Sequence, residues 1–257
     1  MLSFYSGINF IAGLALACFG LVIYLGNNST DTRAFSRYIA CLTVWALSLG
    51  ALLYFDVSVV SKDFLLTFVR YQYWIGIPVT SSFFYFALVY RKNPKDFRLQ
   101  RILLLIANAF LLWIYLFTDL VIKNIVLGPR IIDRIPIFGS MGFVLFNILF
   151  AFFTLSGLII MFRKWIREND PFQRKANAYL FWSSVISFLP GVILAVILPL
   201  TNDFESYWLA PTITLGWVFF ISYVIFRHKI LQLKVLSGEL LVFVLIGILF
   251  INTFLPN

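Results

Sequence analysis

Apolar residues in this chain fall in long runs, neither alternating nor recurring on one helical face. The first runs from Phe4 to Leu25, the second from Tyr38 to Phe55, and a longer third from Phe64 to Tyr90. Others follow over Ile102 to Leu120, Met141 to Phe162, Ala178 to Leu200 and Tyr207 to Phe226, and a shorter one over Leu240 to Leu255. About 18 apolar residues suffice to cross the hydrocarbon core of a bilayer. Backbone amides in lipid must pair within their own segment, so each run is expected to be a helix. The expected fold is an all-α polytopic membrane helix bundle with 7-8 transmembrane helices. Residues 1–235 are expected to form a seven-transmembrane unit, and 236–257 an eighth apolar helix, the start of a further membrane-spanning segment.

The connections carry their own signals. A polar loop is expected over Asn27 to Arg37 and a short connection over Asp56 to Asp63. Arg91-Lys92-Asn93-Pro94-Lys95 ends the third run, because proline and clustered charges do not continue in lipid. The longest loop, Val121 to Ser140, has two β-branched stretches flanking Gly128-Pro129, the pattern of a small hairpin. A basic loop, Arg163 to Lys175, contains the turn signal Asn169-Asp170-Pro171.

Composition agrees with this pattern. Hydrophobic residues make up 61% and charged residues 12%, against about half and about a quarter in soluble domains. The net charge of +9 would raise nucleic acid as a partner of a soluble protein. Here the basic residues lie between apolar runs, where topology and anionic headgroups account for them and no nucleic-acid partner is expected. With the N-terminus outside, fifteen of the twenty lysines and arginines face inward, leaving Lys62, Arg70, Lys123, Arg130 and Arg134. That bias follows the positive-inside rule. Asp56, Asp63, Asp119, Asp133, Asp203 and Glu205 then fall outside. The glycosylation-like patterns at Asn27 and Asn28 would face the cytoplasm. No basic region precedes the first run, which reads as a retained helix and not a signal peptide. Cys18 and Cys41 lie inside apolar runs and read as packed thiols.

Polar groups at membrane depth are costly and therefore candidates for function. Arg70 lies in the third run near its outer end; it either snorkels outward, contacts an anion, or pairs with Asp56, Asp63 or Asp119. Tyr71, Tyr73 and Trp74 follow it as an interfacial belt or a pocket lining. Gly76 and Pro78 interrupt the third run and Pro190-Gly191 the sixth, and Pro211 lies in the seventh; all are candidate kinks. Asn9, Asn108 and Asn147 are candidates for hydrogen bonds between helices. The loop from Asn202 to Trp208 is acidic and aromatic. Together, Arg70, Tyr71, Trp74, Asp119, Glu205 and Trp208 make the candidate outer cavity. His228 is the sole histidine and reads as an interfacial residue, since one histidine without a Cys or acid cluster is no metal site. No Walker loop, nucleotide fingerprint or nucleophile elbow is present. The seventh run has no lysine for a retinal Schiff base. No cofactor is expected.

Several of these segments carry a resemblance. Arg70-Tyr71-Gln72-Tyr73-Trp74-Ile75-Gly76-Ile77-Pro78, then Phe188-Leu189-Pro190-Gly191, Leu198-Pro199-Leu200, Pro211 and finally Ile221-Ser222-Tyr223-Val224-Ile225-Phe226-Arg227-His228-Lys229-Ile230 resemble, in order and spacing, the seven-transmembrane sensor region at the N-terminus of many bacterial histidine kinases. The likeness covers about Phe4 to Val235. It implies a non-catalytic sensor in a prokaryotic plasma membrane, receiving a small-molecule or membrane-state signal and passing it through Arg227, His228 and Lys229. The partners it implies are the lipid bilayer and, in a homodimer, a second copy of the chain. The chain departs from the family in carrying neither a phosphoacceptor helix nor an ATP-binding domain, which leaves an excised sensor region or a stand-alone relative as expectations. A small transporter or permease subunit, with a midplane cavity between the third and sixth helices, is the alternative; a structural subunit of a membrane complex is another.

Overall fold

The computed structural model describes residues 4–26, 29–55, 60–92, 94–127, 134–139 and 142–198, together with 209, 210 and 213. Glu205, Trp208, Pro211, Arg227, His228 and Lys229, and the eighth apolar run, lie outside the described residues.

Six α-helices and one hairpin dominate the described part. They are α1 (Phe4–Gly26), α2 (Thr30–Tyr54), α3 (Lys62–Val89), α4 (Arg98–Phe117), α5 (Gly142–Ile166) and α6 (Pro171–Val192), with strands β1 (Ile122–Leu127) and β2 (Arg134–Phe138) between α4 and α5. The two strands expected to flank Gly128-Pro129 are present; the turn itself lies outside the described residues. The strands pair antiparallel, Ile122 opposite Phe138 and Leu127 opposite Arg134, with a register shift between Ile122 and Asn124.

Two expected loops are largely helix. The segment expected as a polar loop up to Arg37 starts α2 at Thr30, because Ser29 caps the helix by accepting from the Thr32 amide at 3.2 Å and Asp31 favours the positive end of the helix dipole. The turn signal near Pro171 is a helix start. Asp170 accepts from the Phe172 amide at 3.1 Å and Pro171 takes the first helical position, which needs no N–H. The basic residues Arg163 and Lys164 sit in the last turn of α5, where cations suit the negative end of the dipole.

α1 packs along α2 at a distance only small residues permit. A methyl group on Gly13 would meet Leu47, backbone nitrogen included at 3.2 Å, and one on Gly50 would meet the Phe10 nitrogen at 3.2 Å. Ser6 donates across the contact to the Gly50 carbonyl at 2.8 Å. Small residues at such crossings are what helices in lipid use in place of a hydrophobic driving force. α3 is the central helix, packed against α2, α4, α5 and the hairpin. It carries buried Arg70, Gln72, Thr80 and Ser81. Buried apolar residues form two clusters. One, near the hairpin, joins Leu49, Leu65, Tyr73 and Phe146 to Val121, Ile122 and Ile125. The other, toward the far end, joins Leu16, Phe35, Phe83 and Phe86 to Met161 and Leu180.

Among the described residues, four helices are long and apolar enough to cross a membrane: α1, α2, α4 and the Val144–Ile166 stretch of α5. On α4 the apolar residues are mostly bare. Leu99, Leu103, Leu105, Ile106, Phe110 and Phe117 are all more than half exposed, a surface that water would not tolerate on this scale. α3 is absent from the four although it is the longest of the described helices. A helix ringed by other helices meets protein, not lipid, so its surface can hold arginine, glutamine and serines that lower its hydropathy.

Candidate functional site

The polar face of α3 looks toward α4 and the hairpin. Arg70 and Trp74, one turn apart, lie on one stripe of α3 with Ser81 further along. Arg70 is 8% exposed. Its Nε and Nη2 both donate to the Ile122 carbonyl, at 2.9 and 2.8 Å, and Nη1 reaches the Leu116 carbonyl at 3.4 Å. Nη2 also pairs with the Asp119 carboxylate. Of the three acids named from the sequence, Asp119 is therefore the partner. The snorkelling alternative does not hold, since the guanidinium is turned to protein carbonyls. The Asp119 side chain itself is 74% exposed, so the pair has one buried cation and one solvent-facing anion.

Trp74 continues the same contact by donating Nε1–H to the Asn108 carbonyl of α4 at 3.0 Å. The Asn108 amide in turn donates to Ser81 Oγ at 3.1 Å and to the Leu104 carbonyl at 2.8 Å. Asn108 thus bonds across helices, as the sequence leads one to expect of it together with Asn9 and Asn147. Tyr71 lies beside this row, half-buried, its ring 5.6 Å from that of Trp74 and 6.2 Å from that of Phe68. The structure thus brings Arg70, Trp74 and Asp119 together with Tyr71 adjacent, but with the arginine satisfied by backbone. The arrangement fastens three elements: it closes the open carbonyl end of α4, anchors the first residue of β1 and ties both to α3.

A second polar link lies deeper. Gln72, 1% exposed, lies against Ser48 Oγ, whose single proton is shared between Gln72 Oε1 and the Trp45 carbonyl at 2.9 Å, joining α3 to α2. Gln72 gives little signal in the sequence, where it is one polar residue amid the aromatic group Tyr71, Tyr73 and Trp74.

Pro78 lies within the continuous helix α3, and Ser81 and Ser82 donate to the Pro78 and Val79 carbonyls at 3.3 and 2.9 Å, binding carbonyls beside the proline. Pro190 lies within α6 and is followed by a wider π turn over Ile193–Ile197. Inserted turns of this kind are frequent at functional sites. Gly191 faces open space, with nothing within 4 Å of where a methyl group would sit. Gly191→Ala is therefore expected to raise stability by about 0.5–1 kcal/mol through helix propensity alone. Thermal denaturation of the purified variant checks this; a loss of stability would mean that the glycine serves a contact or a motion.

The class this architecture defines is a helical membrane protein with a docked β-hairpin. Comparison with protein-family models, curated proteins and solved structures returned no match.

Proposed function

We propose that the chain is a non-catalytic signal-receiving region of a prokaryotic plasma membrane, of the kind that precedes two-component histidine kinases. In this reading it crosses the bilayer seven or eight times with the N-terminus outside. The hairpin, Arg70, Tyr71, Trp74 and Asp119, with Glu205 and Trp208, then face the exterior. The output leaves through Arg227, His228 and Lys229.

The observation that carries the reading is the position of Arg70. It sits on the central helix and is bonded to the end of α4, to the hairpin and to Asp119. A stimulus that moved the hairpin or drew Asp119 away would act on α3 directly. Such a stimulus shifts the equilibrium between helix arrangements only by its differential affinity for them.

Two measurements test the reading. With Cys18 and Cys41 changed to serine, Lys123→Cys in the hairpin is expected to react with a membrane-impermeant maleimide in intact cells. Lys92→Cys, at the other end of α3, is expected to react only after permeabilisation. Both positions are exposed. The reverse pattern would overturn the orientation. The second measurement is the genomic reading frame beyond Asn257. Continuation into a phosphoacceptor helix and an ATP-binding domain supports the kinase assignment. A stop codon there removes it and turns attention to flux measurements in liposomes.

A further inference from the structure

At the end of the bundle opposite the hairpin, α3 leaves its helical path abruptly. Tyr90 still donates its amide to the Phe86 carbonyl at 2.9 Å. Arg91 then takes a φ of 57°, the one positive φ at a non-glycine among the described residues. Left-handed backbone at this place after a helix is usually supplied by glycine, since a Cβ is strained there. The turn is closed locally by the Lys92 amide, which donates to the Val89 carbonyl at 2.8 Å, and partners from elsewhere grip it on both sides.

Those partners come from three other helices. Both carboxylate oxygens of Asp31, in the first turn of α2, accept from the Arg91 amide at 3.1 Å. Lys164, in the last turn of α5, places its ammonium on the carbonyls of Ala87 at 2.7 Å and Leu88 at 3.2 Å, and on that of Tyr90. The ammonium also lies 5.4 Å from the centre of the Tyr90 ring. The Arg91 guanidinium reaches Gln173 of α6 at 2.7 Å and Glu168 before it at 3.7 Å. Asn177 of α6 donates to the Lys164 carbonyl at 3.2 Å, closing the ring of contacts. An anion thus holds the amide of the turn and a cation its carbonyls, each from a different helix.

We propose that this exit turn is a latch: Asp31 and Lys164 hold Arg91 in its left-handed conformation and so lock α3 against α2, α5 and α6. Release of either grip lets the strained turn relax and the end of α3 shift. The latch names the moving part of the proposed sensor and rests on that reading for its signalling role. Its mechanics do not depend on any ligand or kinase output.

The test uses the full chain in lipid nanodiscs, with Cys18 and Cys41 changed to serine. Spin labels are placed at Lys92 with Arg37, and at Lys92 with Arg167; all three positions are exposed. The parent is expected to give one narrow distance distribution for each pair. Asp31→Ala and Lys164→Met are each expected to add a second population. Hydrogen exchange at the Arg91 amide is expected to speed up by about tenfold or more in Asp31→Ala, as follows from losing a bond to a charged acceptor. Arg91→Gly added to Asp31→Ala is expected to shrink the second population, because glycine adopts the turn without strain, although it also gives up the guanidinium's contacts to Gln173 and Glu168. If Asp31→Ala does not fold, Asp31→Asn takes its place and must show the same change in smaller measure. Unchanged distances and unchanged exchange in both single variants, or a double variant that behaves like Asp31→Ala, would overturn the latch. Since no stimulus or output is read, that result leaves the sensor assignment standing, and failure of the sensor assignment leaves this measurement intact.

Discussion

Arg70→Ala is expected to lower stability by about 2–4 kcal/mol, since hydrogen bonds to a charged group are worth about 1.5–3 kcal/mol each and a buried acceptor left bare adds its own cost. The loss falls on backbone. Ile122 is fully buried, and its carbonyl receives two of the arginine's hydrogen bonds, which its burial keeps from being replaced by solvent. The Leu116 carbonyl, in the last turn of α4, loses a longer and weaker bond. At about 2–4 °C per kcal/mol for a chain of this size, the thermal midpoint in detergent should fall by about 4–16 °C. Asp119→Asn is expected to behave differently. The Asp119 side chain is 74% exposed, and ion pairs open to solvent contribute about 0–1 kcal/mol. Its midpoint should therefore stay close to that of the parent. Arg70→Lys keeps the charge but not the planar fork that reaches several acceptors at once, and should fall between the two. If Asp119→Asn destabilised the protein as much as Arg70→Ala, the charge pair and not the backbone anchoring would be the main role of Arg70.

This contrast marks how far the sequence leads. Arg70 stands out because a cation in an apolar run is costly, and Asp119 is among its candidate partners. The decisive acceptors are carbonyls 46 and 52 residues away, and a carbonyl has no sequence signature. The hairpin is legible because Gly128-Pro129 punctuates two β-branched stretches. The start of α2 is not, because capping by Ser29 turns a polar segment into helix, and the same polarity reads as loop. The grip on Arg91 is hidden for another reason. Arg91 and Lys164 look like the ordinary basic residues that flank membrane spans, and only the fold shows their donors turned toward α6 and the end of α3. The central place of α3 is also hidden, because hydropathy registers how apolar a helix is and not what surrounds it.

A glycine outside every motif singled out from the sequence should be as sensitive as Arg70. Gly139 follows β2 and donates its amide to the Val121 carbonyl at 2.9 Å, closing the base of the hairpin. A Cβ there would be driven into the Asp119 and Leu120 carbonyl oxygens, with the Leu120 carbonyl carbon 2.7 Å away. The obstruction is backbone, so no side-chain rotation relieves it. Overpacking in well-packed sites costs about 1–3 kcal/mol and sometimes more, and the segment that would have to yield is the one that presents Asp119 and Ile122 to Arg70. Gly139→Ala is therefore expected to cost about 3 kcal/mol or more, because the steric displacement and the loss of arginine contacts arise together. The coupling gives the sharper test. In a double-mutant cycle, Gly139→Ala combined with Arg70→Ala should cost less than the sum of the two single changes, since residues sharing one set of partners are not additive. Additive effects would mean that the base of the hairpin and the arginine anchor are separate devices. A near-neutral Gly139→Ala would mean that the Asp119–Leu120 backbone can move aside without disturbing α3, and the hairpin would then be a poor lever for the proposed signal.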